Sequence, residues 1–299
     1  MKFSPISAKT QELLRASGLV PEEIAHLIEL GITEDLAGGD DVTSVATIAP
    51  EHRSRAIYRN RRAGVVAGIP VAAATLEMLG VEEISYDDSY RGERPAGSAL
   101  IEVYGNTRAI LLAERTSLNF LGHLSGIATL TNAWVRAVSG TKCKIRDTRK
   151  TTPGYRALEK YAVRIGGGTN HRMSLSDAAL IKDNHISASG DIVAALTAVR
   201  GKHPQLDMEI EVDSLSQLEE VLALKPQLVL LDNMPPTECA KAVELVAGAF
   251  QLEASGGISL ESAAEFAHTG IDYIAVGALT HSAPVLDIGL DFLENSEGK

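Results

Sequence analysis

From residue 127 onward, short apolar runs alternate with longer stretches of helical spacing. The runs lie in KCKIRDTRK (142–150), AALIKDN (178–184), MEIEVDS (208–214), LVLLDN (228–233), LEASGG (252–257) and YIAVGA (273–278). Each closes on a charged, polar or glycine position. Between them DIVAALTAVRG, LSQLEEVLAL, PPTECAKAVELVAGAF and LESAAEFAHTG repeat apolar residues at three to four positions, the period of an amphipathic helix. Strand and helix alternating at steps of about 20 to 35 residues predict a parallel sheet covered by helices. Six strands fall short of the eight of a closed barrel, which needs about 250 residues. The pattern therefore predicts an incomplete, about six-stranded βα barrel.

The first 126 residues read differently. AHLIELGITEDLAGGDDVTS begins helical and runs into an acidic, glycine-rich loop. SRAIYRNRRAGVVAGIP and GERPAGSALIEVYGNTRAIL read as strands broken by glycine and proline turns, and AILLAERTSLNFLGHLSGIATLTNAWVRAV as a long helix. The fold class is α/β: an N-terminal α+β sandwich domain over 1–126 and a barrel domain over 127–284. A linker is expected within 126–141, and the tail 285–299 is expected to pack on the first domain. GYRALEKYAVRIG has helical spacing, and Arg156, Lys160 and Arg164, four residues apart, read as a solvated charged face.

Composition places the chain among ordinary globular proteins, with 45% hydrophobic and 22% charged residues. No apolar run approaches the roughly 20 residues that span a bilayer. The start, MKFSPISAKTQELLRASG, lacks the layout of a secretion signal. Cys143 and Cys239 form neither a pair motif nor a framework, so a reduced cytoplasmic setting is expected and structural zinc is excluded. The net charge is −11, yet residues 142–172 hold nine Lys or Arg against Asp147 and Glu159, a local +7 that leaves −18 for the rest. An acidic total argues against nucleic acid as the main partner. A compact basic site in an acidic shell points to small anions.

In a βα architecture the functional groups stand at the carboxyl ends of the strands. Those ends carry Arg149 and Lys150, Lys182, Glu211 and Asp213, Asp232, Ser255 with Gly256 and Gly257, and Gly277. Any one alone reads as a strand-end solubility residue; six strand ends converging on one mouth read as a site. SGG at 255–257 and VGALTHS at 276–282 suit a phosphate, because glycine lets backbone N–H groups approach an anion. Glu211 and Asp232 suit sugar hydroxyls or a Mg²⁺ ion shared with a diphosphate, and the plainer alternative is charge balance for the neighbouring cations. Arg149, Lys150, His171, Arg172 and Lys182 repel one another unless a polyanion lies among them.

RDTRKTTPGYRALEKYAVRIGGGTNHR, followed by LIKDNH, EVDS, LLDNM, EASGGIS and DYIAVGALTHS, resembles the quinolinate phosphoribosyltransferase family. ERTSLNFLGHLSGIAT and EDLAGGDDVTS carry the likeness into the first domain. Ser174 stands where the family pattern has glycine, and the acidic loop has one extra residue; the charged positions are intact. The resemblance implies transfer of phosphoribosyl from phosphoribosyl pyrophosphate to quinolinate with Mg²⁺, giving nicotinate mononucleotide, pyrophosphate and CO₂. It also implies a homodimer that shares its active sites and is able to assemble into hexamers. By the same resemblance Arg149 with Thr148, His171 and Arg172 clamps the quinolinate carboxylates, joined by Arg115 across the dimer interface. Lys150 and Lys182 neutralise carboxylate or diphosphate. Glu211 and Asp232 hold the ribose and help place Mg²⁺. Ser255, Gly256, Gly257, Gly277 and Ala278 hold the 5′-phosphate, with His281 adjacent. Lys150, Lys182, Glu211 and Asp232 are the implied catalytic set.

Overall fold

Side-chain caps set the first helices. Ser7 Oγ accepts the Thr10 N–H at 3.2 Å and starts Ala8–Ala16, while Pro21 opens Pro21–Leu36 at a position where no N–H is needed. The acidic segment that follows is a helix end and a new cap: Ala37 turns left-handed, and Asp41 accepts the Ser44 N–H at 3.0 Å to begin Val42–Thr47. These elements come from a computed structural model that describes residues 3–87 and 92–293. Of the tail, residues 294–299 lie outside the described residues.

The chain divides into two units, one of Met1–Leu130, Ala157–Gly166 and Ala283–Lys299, the other of Thr131–Arg156 and Gly167–Ser282. In the first unit an antiparallel sheet runs in the order Ile288–Phe292, Arg53–Asn60, Ala99–Asn106, Glu83–Tyr86. Its buried face, with Ala56, Tyr58, Ile101 and Val103, meets Ala72 and Leu76 of the helix Ile69–Met78 and Ile110 and Leu121 of the helix Thr107–Ala137. The tail strand pairs with Arg53–Asn60, placing Phe292 opposite Ala56. No loop interrupts Thr107–Ala137 at the boundary expected near 126; the helix carries the chain across it.

The segment Arg156–Ile165 is helical, but its charges are not a solvated face. Lys160 and Glu159 are fully buried, and Glu159 takes the ring of His123 at 3.0 Å. Only Arg164 of the three cations is exposed.

In the second unit six parallel strands follow in sequence: Lys144–Arg146, Ala179–Ile181, Met208–Val212, Leu228–Asp232, Gln251–Ser255 and Tyr273–Ala275. In the sheet they lie in the order first, sixth, fifth, fourth, third, second. The outer strands do not pair with each other, so the barrel is incomplete. Helices Ile192–Lys202, Leu215–Leu222, Pro236–Val246 and Ala263–His268 supply the crossovers. Beside the first strand a short stretch adds a seventh position: Thr169 bridges Arg146 in parallel, its N–H donating to the Ile145 carbonyl at 2.8 Å. Cys143 and Cys239 are buried free thiols, and no helix among the described residues is long and apolar enough to cross a membrane.

Candidate active site

Side chains on a strand alternate faces, so residues two apart share a wall. Leu180 and Lys182, Glu211, Leu230 and Asp232, Glu253 and Ser255, and Ala275 from five strands line one cavity of about 350 Å³, joined by Thr148, Arg149 and Lys150 after the first strand and by His171 and Arg172. The bridge at Thr169 explains how the last two reach it. Pairing in parallel with the first strand, residues 169–170 deliver His171 and Arg172 to the same carboxyl-end mouth as 147–150. Asp147, fully buried, fastens this arrangement by accepting the His171 N–H at 2.8 Å and the Asn170 amide at 2.5 Å.

Nine of the expected site residues therefore line the cavity: Thr148, Arg149, Lys150, His171, Arg172, Lys182, Glu211, Asp232 and Ser255. The glycine positions stand at the adjoining strand ends. Gly256 and Gly257 follow the fifth strand with φ of +92° and +65°, a left-handed backbone that glycine adopts freely. Gly277 precedes the short helix Ala278–His281, and a Cβ there would meet Lys150 Cδ at 3.1 Å and His281 Nε2 at 3.2 Å, so these side chains crowd the backbone. The Thr280 hydroxyl donates to the Lys150 carbonyl at 2.7 Å and ties the loop after the first strand to this helix. Arg115 belongs to the first unit, exposed on the helix Thr107–Ala137.

Charges in the cavity are arranged in two tiers. At the mouth Lys182 pairs with Glu211, as the charge-balance alternative anticipates, while Arg149 and Arg172 converge without carboxylate partners among the described residues. Burial lowers the pKa of the Arg172 guanidinium, and the positive charge of Arg149 lowers it further. Nε of each arginine is buried and without a hydrogen bond, the condition of a site built for an anion. Below them Arg146 donates to Glu253 at 2.7 Å and stacks on Tyr273. His171 Nδ1 accepts the Arg172 N–H at 2.8 Å, so the ring proton sits on Nε2, 2.8 Å from Glu209 and 3.7 Å from Glu253. Burial, then the charge of Glu209, pushes the Glu253 carboxyl up to about 7 against the pull of Arg146 and His171.

Two groups of ligand atoms offer themselves to a metal. His171, Glu209 and Glu253 hold theirs within 4.8 Å of one another, but the Nε2 proton and Arg146 already engage them as an ion-pair network. Glu211, which also meets Lys182, and Asp232 present half-buried carboxylates to the cavity at the ends of adjacent strands. A hard ion such as Mg²⁺, which keeps several waters and takes oxygen ligands, fits the chemistry of that pair.

Comparison with known proteins gives the family. Residues 127–291 match the family model of the quinolinate phosphoribosyl transferase C-terminal domain, and residues 41–125 match that of its N-terminal domain. The chain belongs to the quinolinate phosphoribosyltransferase family. It is similar to the carboxylating nicotinate-nucleotide pyrophosphorylase of Mycobacterium leprae, 53% identical over 272 residues that cover 88% of this chain and 95% of that one. A probable enzyme of the same name from Bacillus subtilis is 38% identical over 277 residues, covering 92% and 95%. The solved nicotinate-nucleotide pyrophosphorylase of Francisella tularensis has a TM-score of 0.86 at 38% identity, covering 91% of this chain and 96% of that one. The incomplete barrel is thus the family's architecture.

Sequence reasoning missed the lower tier. Glu209 and Glu253 are acids inside otherwise apolar strands, each two residues before a mouth residue (Glu211, Ser255) and so on the same face. That period-two spacing was the available signal. Ser174, the departure from the family pattern, sits in a polar turn where its N–H donates to Asp177 at 3.1 Å, away from the charged positions of the mouth.

Proposed function

We propose that this enzyme transfers phosphoribosyl from phosphoribosyl pyrophosphate to quinolinate, releasing pyrophosphate and CO₂ and forming nicotinate mononucleotide. One observation carries the reading: four cations, Arg149, Lys150, Arg172 and Lys182, face one cavity beside three carboxylates, Glu211, Asp232 and Glu253, and a glycine turn. Together the substrates bring two ring carboxylates, a diphosphate and a 5′-phosphate, which is the anion count such a mouth requires.

Arg149 and Arg172 grip the ring carboxylates through paired N–H groups, with Thr148 beside them. His171, its ring proton engaged by Glu209 and its Nδ1 by the Arg172 backbone, holds that arginine in place. Ser255, Gly256, Gly257, Gly277 and Ala278 enclose the 5′-phosphate, with His281 at the rim. Glu211 and Asp232 take the ribose hydroxyls and, with the diphosphate, Mg²⁺. When bound, Mg²⁺ neutralises charge on the leaving diphosphate. Lys150 and Lys182 offset the remaining charge as ribose C1 becomes oxocarbenium-like and the pyridine nitrogen attacks it. The C2 carboxylate then leaves as CO₂, its electron pair stabilised by the adjacent ring N⁺ until a proton from solvent replaces it. No nucleophilic side chain is needed, since positioning and charge stabilisation account for the rate.

The purified chain is expected to release CO₂ from quinolinate only when the phosphoribosyl donor and Mg²⁺ are both present, and to lose turnover in EDTA. Turnover of nicotinate in place of quinolinate would discard the assignment. In the cytoplasmic homodimer we propose, Arg115 reaches the partner's site. Arg115→Ala and Lys182→Ala chains, each inactive, should regain activity when subunits exchange; exchange without recovery would remove the shared site.

A further inference from the structure

Four residues other than glycine adopt positive φ: Ala37, Lys225, Asn233 and Ala247, among the described residues. Ala37 and Ala247 end helices, where the left-handed turn is ordinary, and Lys225 lies in the turn after Leu215–Leu222. Asn233, at φ +54°, ends no helix. It follows Asp232 at the mouth of the site, and asparagine is one of the few residues that tolerate this backbone. Strain retained at such a position requires surroundings that hold it.

Those surroundings join two loops. The Asn233 N–H donates to the Ser255 carbonyl at 2.8 Å, extending the ladder one step beyond the Asp232–Ser255 pair. Its side-chain Nδ2 donates to Asp232 Oδ2 at 2.7 Å. Its Oδ1 lies over the next loop, so close that a Cβ on Gly256 would stand 2.2 Å from it. One amide therefore touches the carboxylate at the end of the fourth strand and the backbone of the glycine turn at the end of the fifth.

We infer that Asn233 is a positioning residue for the phosphoribosyl donor: its amide orients the Asp232 carboxylate and sets its spacing from the Gly256 turn, the two groups that hold the ribose hydroxyls and the 5′-phosphate. The inference rests on the assignment of Asp232 to the ribose and of the glycine turn to the phosphate. The pyridine carboxylates are gripped elsewhere, by Arg149 and Arg172, so Asn233 governs one substrate and not the other.

Three variants of the full chain test this. Asn233→Gly keeps the left-handed backbone and removes the amide. Asn233→Asp keeps the shape and replaces a donor by a second negative charge beside Asp232. Asp232→Asn tests the underlying assignment, and thermal melting of each variant reports folding. Losing one charge-assisted hydrogen bond predicts a rise of roughly 10-fold in KM for phosphoribosyl pyrophosphate in Asn233→Gly, and the added like charge predicts about 100-fold in Asn233→Asp. KM for quinolinate stays within about twofold in both. An unchanged donor KM in both Asn233 variants, with Asp232→Asn impaired, overturns the role of Asn233 alone. Equal rises in the KM of both substrates also overturn it, marking a merely structural part. An Asp232→Asn enzyme with wild-type donor KM removes the ribose assignment and this inference with it.

Discussion

The two sheets bury polar groups in opposite ways. On the strands of the antiparallel sheet these groups are neutral: Tyr58 meets the Ser117 hydroxyl at 2.8 Å, Ser54 meets Thr107 at 2.8 Å, and the Asn60 amide donates to the Arg62 and Pro95 carbonyls, while the buried Glu159 and Lys160 of the same unit lie off the sheet, on Arg156–Ile165. On the parallel sheet they are ionisable, with Arg146 on Glu253 and the His171 ring on Glu209. A neutral buried hydrogen bond adds about 1 kcal/mol net, whereas a buried ion pair must first overcome several kcal/mol of desolvation per ion. The first sheet thus uses polarity to hold a core together. The second accepts an electrostatic cost because its inner face, one residue pair further up each strand, is a site that must present cations to an anion.

That contrast is broken most sharply at the mouth. Arg149→Ala removes a donor aimed at developing charge and should lower the rate of CO₂ release about 10²- to 10³-fold. Stability should not fall with it. Arg149 and Arg172 repel each other in the free enzyme, so the melting temperature is expected to hold or rise. Loss of rate together with a large drop in melting temperature would mean that the cation is part of the core, and the distinction between the two sheets would fail at its main point.

The same contrast explains what the sequence revealed. The six parallel strands were legible because each is a short apolar run that stops on a polar or glycine residue, and the mouth residues were legible because they are those stops. The helix Ile69–Met78 was not: Val71, Ala72, Ala73, Ala74, Thr75 and Leu76 are all fully buried, so no polar face marks its period. The pairing of Thr169 with the first strand left no trace in GGGTNHR either, since backbone hydrogen bonds and the Asp147 carboxylate hold it instead of apolar contacts. Lys160 looked solvated because its spacing matched Arg156 and Arg164, yet the helix turns it inward beside Leu158 and Tyr161. Periodicity reports the face an element buries only when that face is apolar.

Glu253 is where the electrostatic cost can be read. Glu253→Ala leaves the Arg146 guanidinium buried without its carboxylate and should destabilise the chain by about 3–5 kcal/mol in urea unfolding. Glu253→Gln keeps an acceptor and should cost far less. The carboxyl has a folded pKa of about 7, above the 4.5 of an unperturbed glutamate. Between those values the native state keeps a proton that the unfolded chain releases, so its contribution is fully present below pH 4.5 and is lost as pH rises through 7. Wild-type stability should therefore decline from pH 5 to 7.5 relative to Glu253→Gln; parallel curves for the two would show that the carboxyl is ionised throughout.

The smallest effect belongs to the neutral side of the comparison. Tyr58 is fully buried, and burial raises the pKa of its hydroxyl. The Ser117 hydroxyl that accepts from it also donates to the Glu114 carbonyl at 3.0 Å, so Tyr58→Phe removes one donor without stranding its partner. The ring keeps its packing against the sheet core, and the hydroxyl leaves a void too small for a side chain to refill. A loss of about 0.5–1.5 kcal/mol is expected, with KM and kcat unchanged. Tyr58→Phe should also leave the pH dependence of unfolding untouched between pH 5 and 7.5, because no charge is stored on this sheet's core. A variant that altered turnover would tie the antiparallel sheet to the site chemically, and the division of labour between a neutral core and a charged one would have to be given up.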